Sequence, residues 1–503
     1  MASSRSNSDE DDASRRGRLI EWFADAVERD ELNLKEVERR SREAGLDLRG
    51  DGPEAVLLTW PGKRAASDLN GASDGMHLDP PVVNAAVQDQ LIVGDNLPVM
   101  QLLNQAMRER VDLAYIDPPY NTGRGFTFTD RFPAAQPPRK EGGEARRQRS
   151  SSGWLNFLFP RLIALKDLMS ERGVLVAHID EHEHETLVMM CKEIFGEAGY
   201  LGSIVWDKGN PKGDARRVAY QHEHIVVFAK DPKRCPPLRR PKQNAQRIID
   251  AANATLESTS SLPDARAKFS AWMKEARGLS GGESMYARIS EDRRVYRLVS
   301  MAWPNKKVAP AEYLRPLVHP RTGHECPIPA RGWRNPPGTM DDLLRRGLIE
   351  FGKDHTIQPQ RRYFLEEHMH ENIPSVIRFA GSDDERLRAL GIPFEHPKPV
   401  ELAARIVSWF APPDAIVCDC FAGSGTTGHA VWEANARDGG TRRFVLIQAP
   451  EPIAGGAKKG EPTHLFERVD QITRARLERV AEQSALDERS PTLGFSLRRL
   501  VST

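Results

Sequence analysis

The chain has 503 residues, 39% of them hydrophobic, and a formal net charge of +1. That length supports two or three domains of about 150 residues each, and the balanced charge excludes a uniformly basic nucleic-acid coat while allowing local basic patches. No run reaches the roughly 18 apolar residues of a membrane span, the start is polar rather than a leader, and five irregularly spaced cysteines fit a reducing cytoplasm.

Residues 1–17 are rich in Ser, Asp and Arg and read as a disordered tail. Residues 18–87 read as an N-terminal helical docking region, in which Leu19, Ile20, Phe23, Val27 and Leu32 repeat at helical spacing. Residues 88–234 then alternate between strand and helix. Strand Leu91–Gly94 leads into a helix carrying Leu97, Met100, Leu103 and Met107, with Asp95 and Asn96 suited to its start. Strand Val111–Ile116 follows, then a loop whose basic cluster (Arg139, Lys140, Arg146, Arg147, Arg149) suits a phosphate-contacting lid. A solvated charged loop would have the same composition. Trp154, Leu158, Leu162, Leu165 and Met169 form a helical core stripe. Strand Val174–Ile179, a helix with Leu187, Met190 and Ile194, and strands Leu201–Trp206 and Ile225–Phe228 complete the segment.

The alternation breaks in residues 235–375, which are rich in proline and charge. This stretch reads as an inserted α+β domain, with Arg297, Arg334 and Arg361 as candidates for nucleic-acid contact. An insert that only buttresses the fold or binds a partner is the competing reading. Alternation resumes over residues 376–483, with a helix carrying Leu402, Ile406 and Trp409, strands Ile416–Cys418 and Phe444–Ile447, and a late helix with Phe466, Val469, Ile472 and Leu477. Residues 484–503 read as a C-terminal tail. Strands alternating with helices predict an α/β fold with a doubly wound, mostly parallel sheet.

Two strand ends carry chemistry. The first is Asp117-Pro118-Pro119-Tyr120 after strand Val111–Ile116. Proline has no N–H, so this turn offers a substrate mainly carbonyl oxygens, together with the Asp117 carboxylate and the flat face of Tyr120. Such a set suits a planar ring bearing an exocyclic amine. The amine lone pair is delocalised into the ring, and two acceptors, Asp117 and the Pro118 carbonyl, would draw the nitrogen towards a tetrahedral form and aim it at an electrophile. A plain strand-ending turn would use the same residue types.

The second is Asp419-Cys420-Phe421-Ala422-Gly423-Ser424-Gly425-Thr426, where a strand runs through a glycine turn into a helix. Glycines allow close backbone approach to a ligand, and a helix start offers unpaired N–H groups. The phosphate-loop lysine is absent, and the acid expected after the next strand is displaced to Glu451 beyond Gln448, which disfavours triphosphate and nicotinamide binding. In a doubly wound sheet both turns face ligands beyond the carboxyl ends of the strands.

Together these motifs resemble the beta group of DNA amino-methyltransferases, a Rossmann-like fold in which the catalytic motif precedes the cofactor motif. Leu91-Ile92-Val93-Gly94-Asp95-Asn96-Leu97 and His396-Pro397-Lys398-Pro399 are similar to further elements of that group. Gln221-His222-Glu223-His224, Gly332-Trp333-Arg334 and Phe351-Gly352-Lys353-Asp354 resemble the modification subunits of type III restriction systems. The resemblance spans about residues 50–470. It implies transfer of methyl from S-adenosyl-L-methionine to N6 of adenine in duplex DNA by base flipping, with N4 of cytosine, or a mainly scaffolding role in a defence complex, as alternatives. It implies Asp117, Pro118, Pro119 and Tyr120 as catalytic residues. For the cofactor it implies Asp419, Phe421, Ala422, Gly423, Ser424, Gly425 and Thr426, with Lys398 at the carboxylate end and Asp95 as a weaker candidate. It makes residues 88–234 the catalytic half, 235–375 the target-recognition domain and 376–483 the cofactor half. The implied partners are duplex DNA, a helicase–nuclease or other defence subunit, and a second copy of the chain. No metal is expected: His178, His182, His184, His222 and His224 lack a completing cysteine or carboxylate frame, and the sulfonium donor is already reactive.

Overall fold

The computed structural model describes residues 58–69, 73–82, 88–123, 132, 151–209, 218–453, 466–486 and 492–502. The expected tail and helix of residues 1–57 and the basic cluster 139–149 lie outside the described residues. The chain divides into two units, Met1–Leu238 with Pro374–Thr503, and Arg239–Ile373. The sequence placed an insert at 235–375.

Strands are numbered along the chain. The larger unit holds a ten-stranded sheet. Across it run β1 (Met76–Asp79), β16 (Ser496–Ser502), β2 (Gln90–Val93), β15 (Arg443–Gln448), β14 (Ile416–Asp419), β3 (Val111–Ile116), β4 (Met169–Ile179), β6 (His222–Ala229), β5 (Tyr200–Asp207) and β13 (Val376–Arg378). Every neighbouring pair from β16 to β4 is parallel, as is the pair β13 and β5. Strand β6 is antiparallel to both β4 and β5, and β1 is antiparallel to β16. The central strands β2 and β3 are buried along their whole length, because helices cover both faces of a parallel sheet. Asp112 tolerates burial in β3 by accepting hydrogen bonds from Ser170, Arg172 and the Ile416 amide. The stripe Trp154, Leu158, Leu162 and Leu165 lies in the core of helix Ser151–Leu168, as its spacing predicts.

The C-terminal reading needs correcting: residues 496–502 are the strand β16, not a tail. Its backbone pairs with β2 on one side and β1 on the other. A single short strand has no helical period to reveal it, and its hydrogen bonds exist only against partners distant in sequence.

The smaller unit is α+β. Strands β10 (Ile349–Glu350), β11 (Gln360–Phe364), β9 (Val295–Val299) and β8 (Arg288–Ile289) form an antiparallel sheet in that order. Strands β7 (Arg239–Pro241) and β12 (His370–Asn372) pair separately. Helices Ala245–Glu257 and Leu262–Glu275 pack around Ile248, Phe269 and Tyr286, and a second cluster gathers Tyr296, Trp333, Met340 and Phe364.

A chain ending at residue 494 would leave β1 without its sheet partner and expose the edge of β2. Its thermal unfolding midpoint is expected to fall by at least several degrees in calorimetry, whereas a dispensable tail would leave it unchanged.

Candidate active site

Strands β3 and β14 are parallel neighbours, with Val417 opposite Leu113 and Cys418 opposite Ala114. The turns that follow them therefore open at the same sheet edge. Asp117–Tyr120 and Cys420–Gly425, some 300 residues apart in the chain, become neighbours.

The Asp117 carboxylate, about a third exposed at 36%, has one donor on each oxygen. Tyr120 Oη donates to Oδ1 at 2.7 Å, and Lys398 Nζ donates to Oδ2 at 2.8 Å. The Lys398 ammonium also lies 4.9 Å from the Tyr120 ring centroid. Burial by itself would raise the Asp117 carboxyl, but the Lys398 ammonium, His178 and the Tyr120 hydroxyl outweigh it and hold it below the ordinary carboxylate range. Burial would lower Lys398, yet Asp117 and Glu223 keep it above the ordinary lysine range. The pair is therefore ionised at neutral pH.

Neighbouring bonds fix the turn. Trp154 Nε1 donates to the Pro119 carbonyl at 2.7 Å. Asn121 takes a left-handed φ of 58°, which asparagine tolerates better than most residues, and its Nδ2 donates to Glu183 at 2.7 Å. Behind the site, Tyr115 Oη and His178 Nε2 are 2.9 Å apart. Burial, with Lys398 nearby, pulls His178 down to about 4, so its ring is neutral.

The glycine turn is built differently. Asp419 is buried, and its carboxylate accepts from the Phe421 amide at 2.9 Å and from Thr427 Oγ1 at 2.5 Å. Burial pushes it up to about 7. Its contacts in this structure thus fold the loop. Gly423 has φ 52°, donates to Gln448 Oε1 at 2.7 Å, and accepts from Thr473 Oγ1 at 2.6 Å. A Cβ added there would meet nothing nearer than Phe394 Cζ at 3.7 Å, so this backbone presents an open cradle. Gly425 has φ 81° and stands at the start of helix Thr426–Asp438, contributing no side-chain cap. Phe421 packs at 6.1 Å from Phe157.

Two expected site residues have other contacts. Lys398 was expected at the cofactor's carboxylate end, but its ammonium is directed at Asp117 and lies 3.6 Å from Glu223. Asp95 caps helix Asn96–Met107 by accepting from the Leu97 amide, and it pairs with Arg161 at 3.0 Å. Arg161 donates to Asn96 Oδ1, and Asn96 Nδ2 donates to the Cys420 carbonyl at 2.7 Å. Asp95 thus reaches the glycine turn through this relay.

Sequence reasoning missed two residues. Glu223, on β6, is 9% exposed and faces Tyr120, Lys398 and Lys208. Its segment was noted as a motif but could not be tied to Asp117 without knowing that β6 lies beside β4. Arg476, fully buried on helix Val469–Ala485, donates to Ser424 at 3.1 Å and Thr426 at 2.9 Å and pairs with buried Asp383. Asp383 also accepts from the Val400 amide at 3.2 Å, two residues past Lys398. In the helical pattern Arg476 looks like any surface arginine.

Among the described residues, Asp180, Glu181 and His182 bring ligand atoms within 4.8 Å of one another, a frame the sequence did not reveal. Asp180 already accepts from the His182 amide and ring within that turn. Cys418 and Cys420 are buried, and burial raises both thiols, as suits packing residues. In the smaller unit, Arg361 lies 4.7 Å from the Tyr363 ring and Arg297 lies 5.2 Å from that of Tyr286, while Arg334 is exposed.

A family model described as DNA methylase matches residues 111–451, a span that includes both turns. The chain belongs to this DNA methylase family. The Mod subunit of the Escherichia coli type III enzyme EcoP15I is 30% identical to this methylase over 463 residues, 86% of this chain and 70% of that protein. The StyLTI Mod subunit of Salmonella typhimurium is 29% identical, but the chain spans only 56% of its length, with 78% of this chain aligned. The type II methyltransferase M.KpnI of Klebsiella pneumoniae is 24% identical over 79% of this chain and 88% of its own. Among solved structures, a Thermus thermophilus DNA modification methylase in complex with S-adenosyl-L-methionine matches 81% of this chain and 99% of its own, at 15% identity and a TM-score of 0.34.

The methylase takes its methyl group from S-adenosyl-L-methionine. The residues present fit that donor: the Gly423 backbone is open to a ligand, and a helix start without a side-chain cap suits an anionic carboxylate.

Replacing Lys398 with Met would remove the strongest influence holding Asp117 down, leaving only His178 and the Tyr120 hydroxyl against burial and the nearby Glu223 charge. The acid limb of the kcat/KM profile is then expected to move to higher pH by about 1 to 3 units. An unmoved limb would deny the pairing. Arg476→Met would strand buried Asp383 and is expected to cost about 3–5 kcal/mol in denaturant unfolding, with weakened cofactor binding.

Proposed function

We propose that this methylase modifies N6 of adenine in duplex DNA, acting on a base turned out of the stack. The observation that carries the reading is the ionised Asp117 carboxylate standing with Tyr120 at the sheet edge that also bears the glycine cradle. Extruding the base costs a few kcal/mol, offset by stacking on Tyr120 and by contacts to its edge. Asp117 and the Pro118 carbonyl accept the two amine hydrogens and direct the nitrogen lone pair. Because Asp117 is ionised beforehand, it needs no proton loss before it accepts. Asp419 and Phe421 shape the cofactor turn, and Ala422, Gly423, Ser424, Gly425 and Thr426 line it. Asp95 supports it through Arg161 and Asn96. The donor, when bound, supplies a methyl group on a positively charged sulfonium, and holding it in line with the amine accounts for much of the acceleration.

Three type III Mod subunits among the relatives favour adenine, as does the acid rather than serine at the head of the tetrapeptide. The family model spans both N6 and N4 chemistry, so N4 of cytosine is the second reading. The relatives' names favour a restriction-modification setting in which the chain is one subunit; the cytoplasmic, phage-defence setting, the helicase–nuclease partner and the homodimer expected from the sequence are proposed with it. The unit Arg239–Ile373 is the proposed target-recognition domain, with Arg297, Arg334 and Arg361 as candidate contacts.

DNA from a methylation-free host expressing the chain is expected to contain N6-methyladenine by nucleoside mass spectrometry. Asp117→Ala is expected to lower transfer by at least about a hundredfold with cofactor affinity unchanged. N4-methylcytosine in its place would select the second reading.

A further inference from the structure

Each Asp117 oxygen already holds a donor, so an entering amine competes with both for the remaining lone pairs. Tyr120 Oη is on Oδ1 and Lys398 Nζ is on Oδ2. Each of these donors has a second carboxylate within reach, and it is the same one. Tyr120 Oη lies 3.3 Å from Glu223 Oε2, and Lys398 Nζ lies 3.6 Å from that atom. The hydroxyl has one proton for two carboxylates, so it serves one at a time. The ammonium needs a shift of less than an ångström to turn its longer contact into a hydrogen bond.

Glu223 is placed to receive them. It sits on β6 with its side chain 12% exposed, and its other oxygen is already paired with Lys208. A buried carboxylate with two ammonium neighbours is held ionised: burial would raise it, but Lys398 and Lys208 keep it below the ordinary range. It therefore has lone pairs to offer when Asp117 is taken.

We propose that Glu223 is a positioning residue that takes the Tyr120 hydroxyl and the Lys398 ammonium from Asp117 as the exocyclic amine enters, so that capture of the base is an exchange of acceptors. Lys398 and Tyr120 keep a charged or polar partner throughout, and neither is stranded in a poorly solvated site. The exchange also leaves the Tyr120 ring free of its bond to Asp117, able to settle against the base. The inference rests on the reading that Asp117 orients the target amine.

The test uses the full chain and a duplex whose modified position has been read by sequencing, with the target adenine kept and 2-aminopurine as its neighbour to report extrusion. Glu223→Gln keeps the size and removes the charge. It is expected to lower kcat and the extrusion signal by about ten- to hundredfold, with cofactor affinity and thermal stability close to the parent. Adding Tyr120→Phe removes one competitor for Asp117 and is expected to restore part of the extrusion signal. Parent-like turnover and extrusion in Glu223→Gln overturn the proposal, provided that Asp117→Ala is inactive. A loss shared equally by cofactor affinity and stability, with no recovery on adding Tyr120→Phe, also overturns it, because a structural role explains that pattern. Should Asp117→Ala retain transfer, it is the underlying reading that fails.

Discussion

The parallel pairing of β3 with β14 is the constraint on which the site depends. Backbone hydrogen bonds hold Val417 against Leu113 and Cys418 against Ala114. Parallel strands end at the same edge, so the turns after them must open side by side. The pairing also keeps both strands in the buried middle of the sheet, where slippage by one residue would turn every side chain to the opposite face. The relative placement of Asp117 and the Gly423 cradle is thus a property of the rigid sheet. The long segments between them are free to differ in length and content without disturbing it.

Around that edge the electrostatics are arranged in closed groups. Asp117 and Glu223 face Lys398, and Glu223 also faces Lys208. Two neighbouring carboxylates, one of them buried, would repel and push a proton onto one of them, were Lys398 not between them. The glycine turn has its own closed group in Arg476, Asp383, Ser424 and Thr426. Thr426 Oγ1 lies 3.4 Å from the Lys398 carbonyl, so the two groups meet at one short piece of backbone. That contact joins the wall of the cradle to the segment carrying the Asp117 partner.

The methylase is built of two units. The larger unit carries both turns on one sheet, and the unit Arg239–Ile373 has its own antiparallel sheet and its own apolar clusters. An insert with an independent core can change its surface without straining the strands that hold Asp117 and Gly423.

Local residue patterns determined a good deal of this. The strand Val111–Ile116, the helix around Leu97 and Met107, and the glycine turn into helix Thr426–Asp438 were legible because each shows in hydrophobic period or turn chemistry within a few residues. The tetrapeptide and the glycine turn stood out for the same reason, since each is a run of contiguous residues. The antiparallel β6, the strand β16, the Lys398 ammonium on Asp117, the Glu223 contacts and buried Arg476 were decided only by the tertiary structure. Each depends on partners from about fifteen to several hundred residues away. A charged side chain carries no local sign of whether it meets solvent or a buried opposite charge, because that is set by which strands become neighbours.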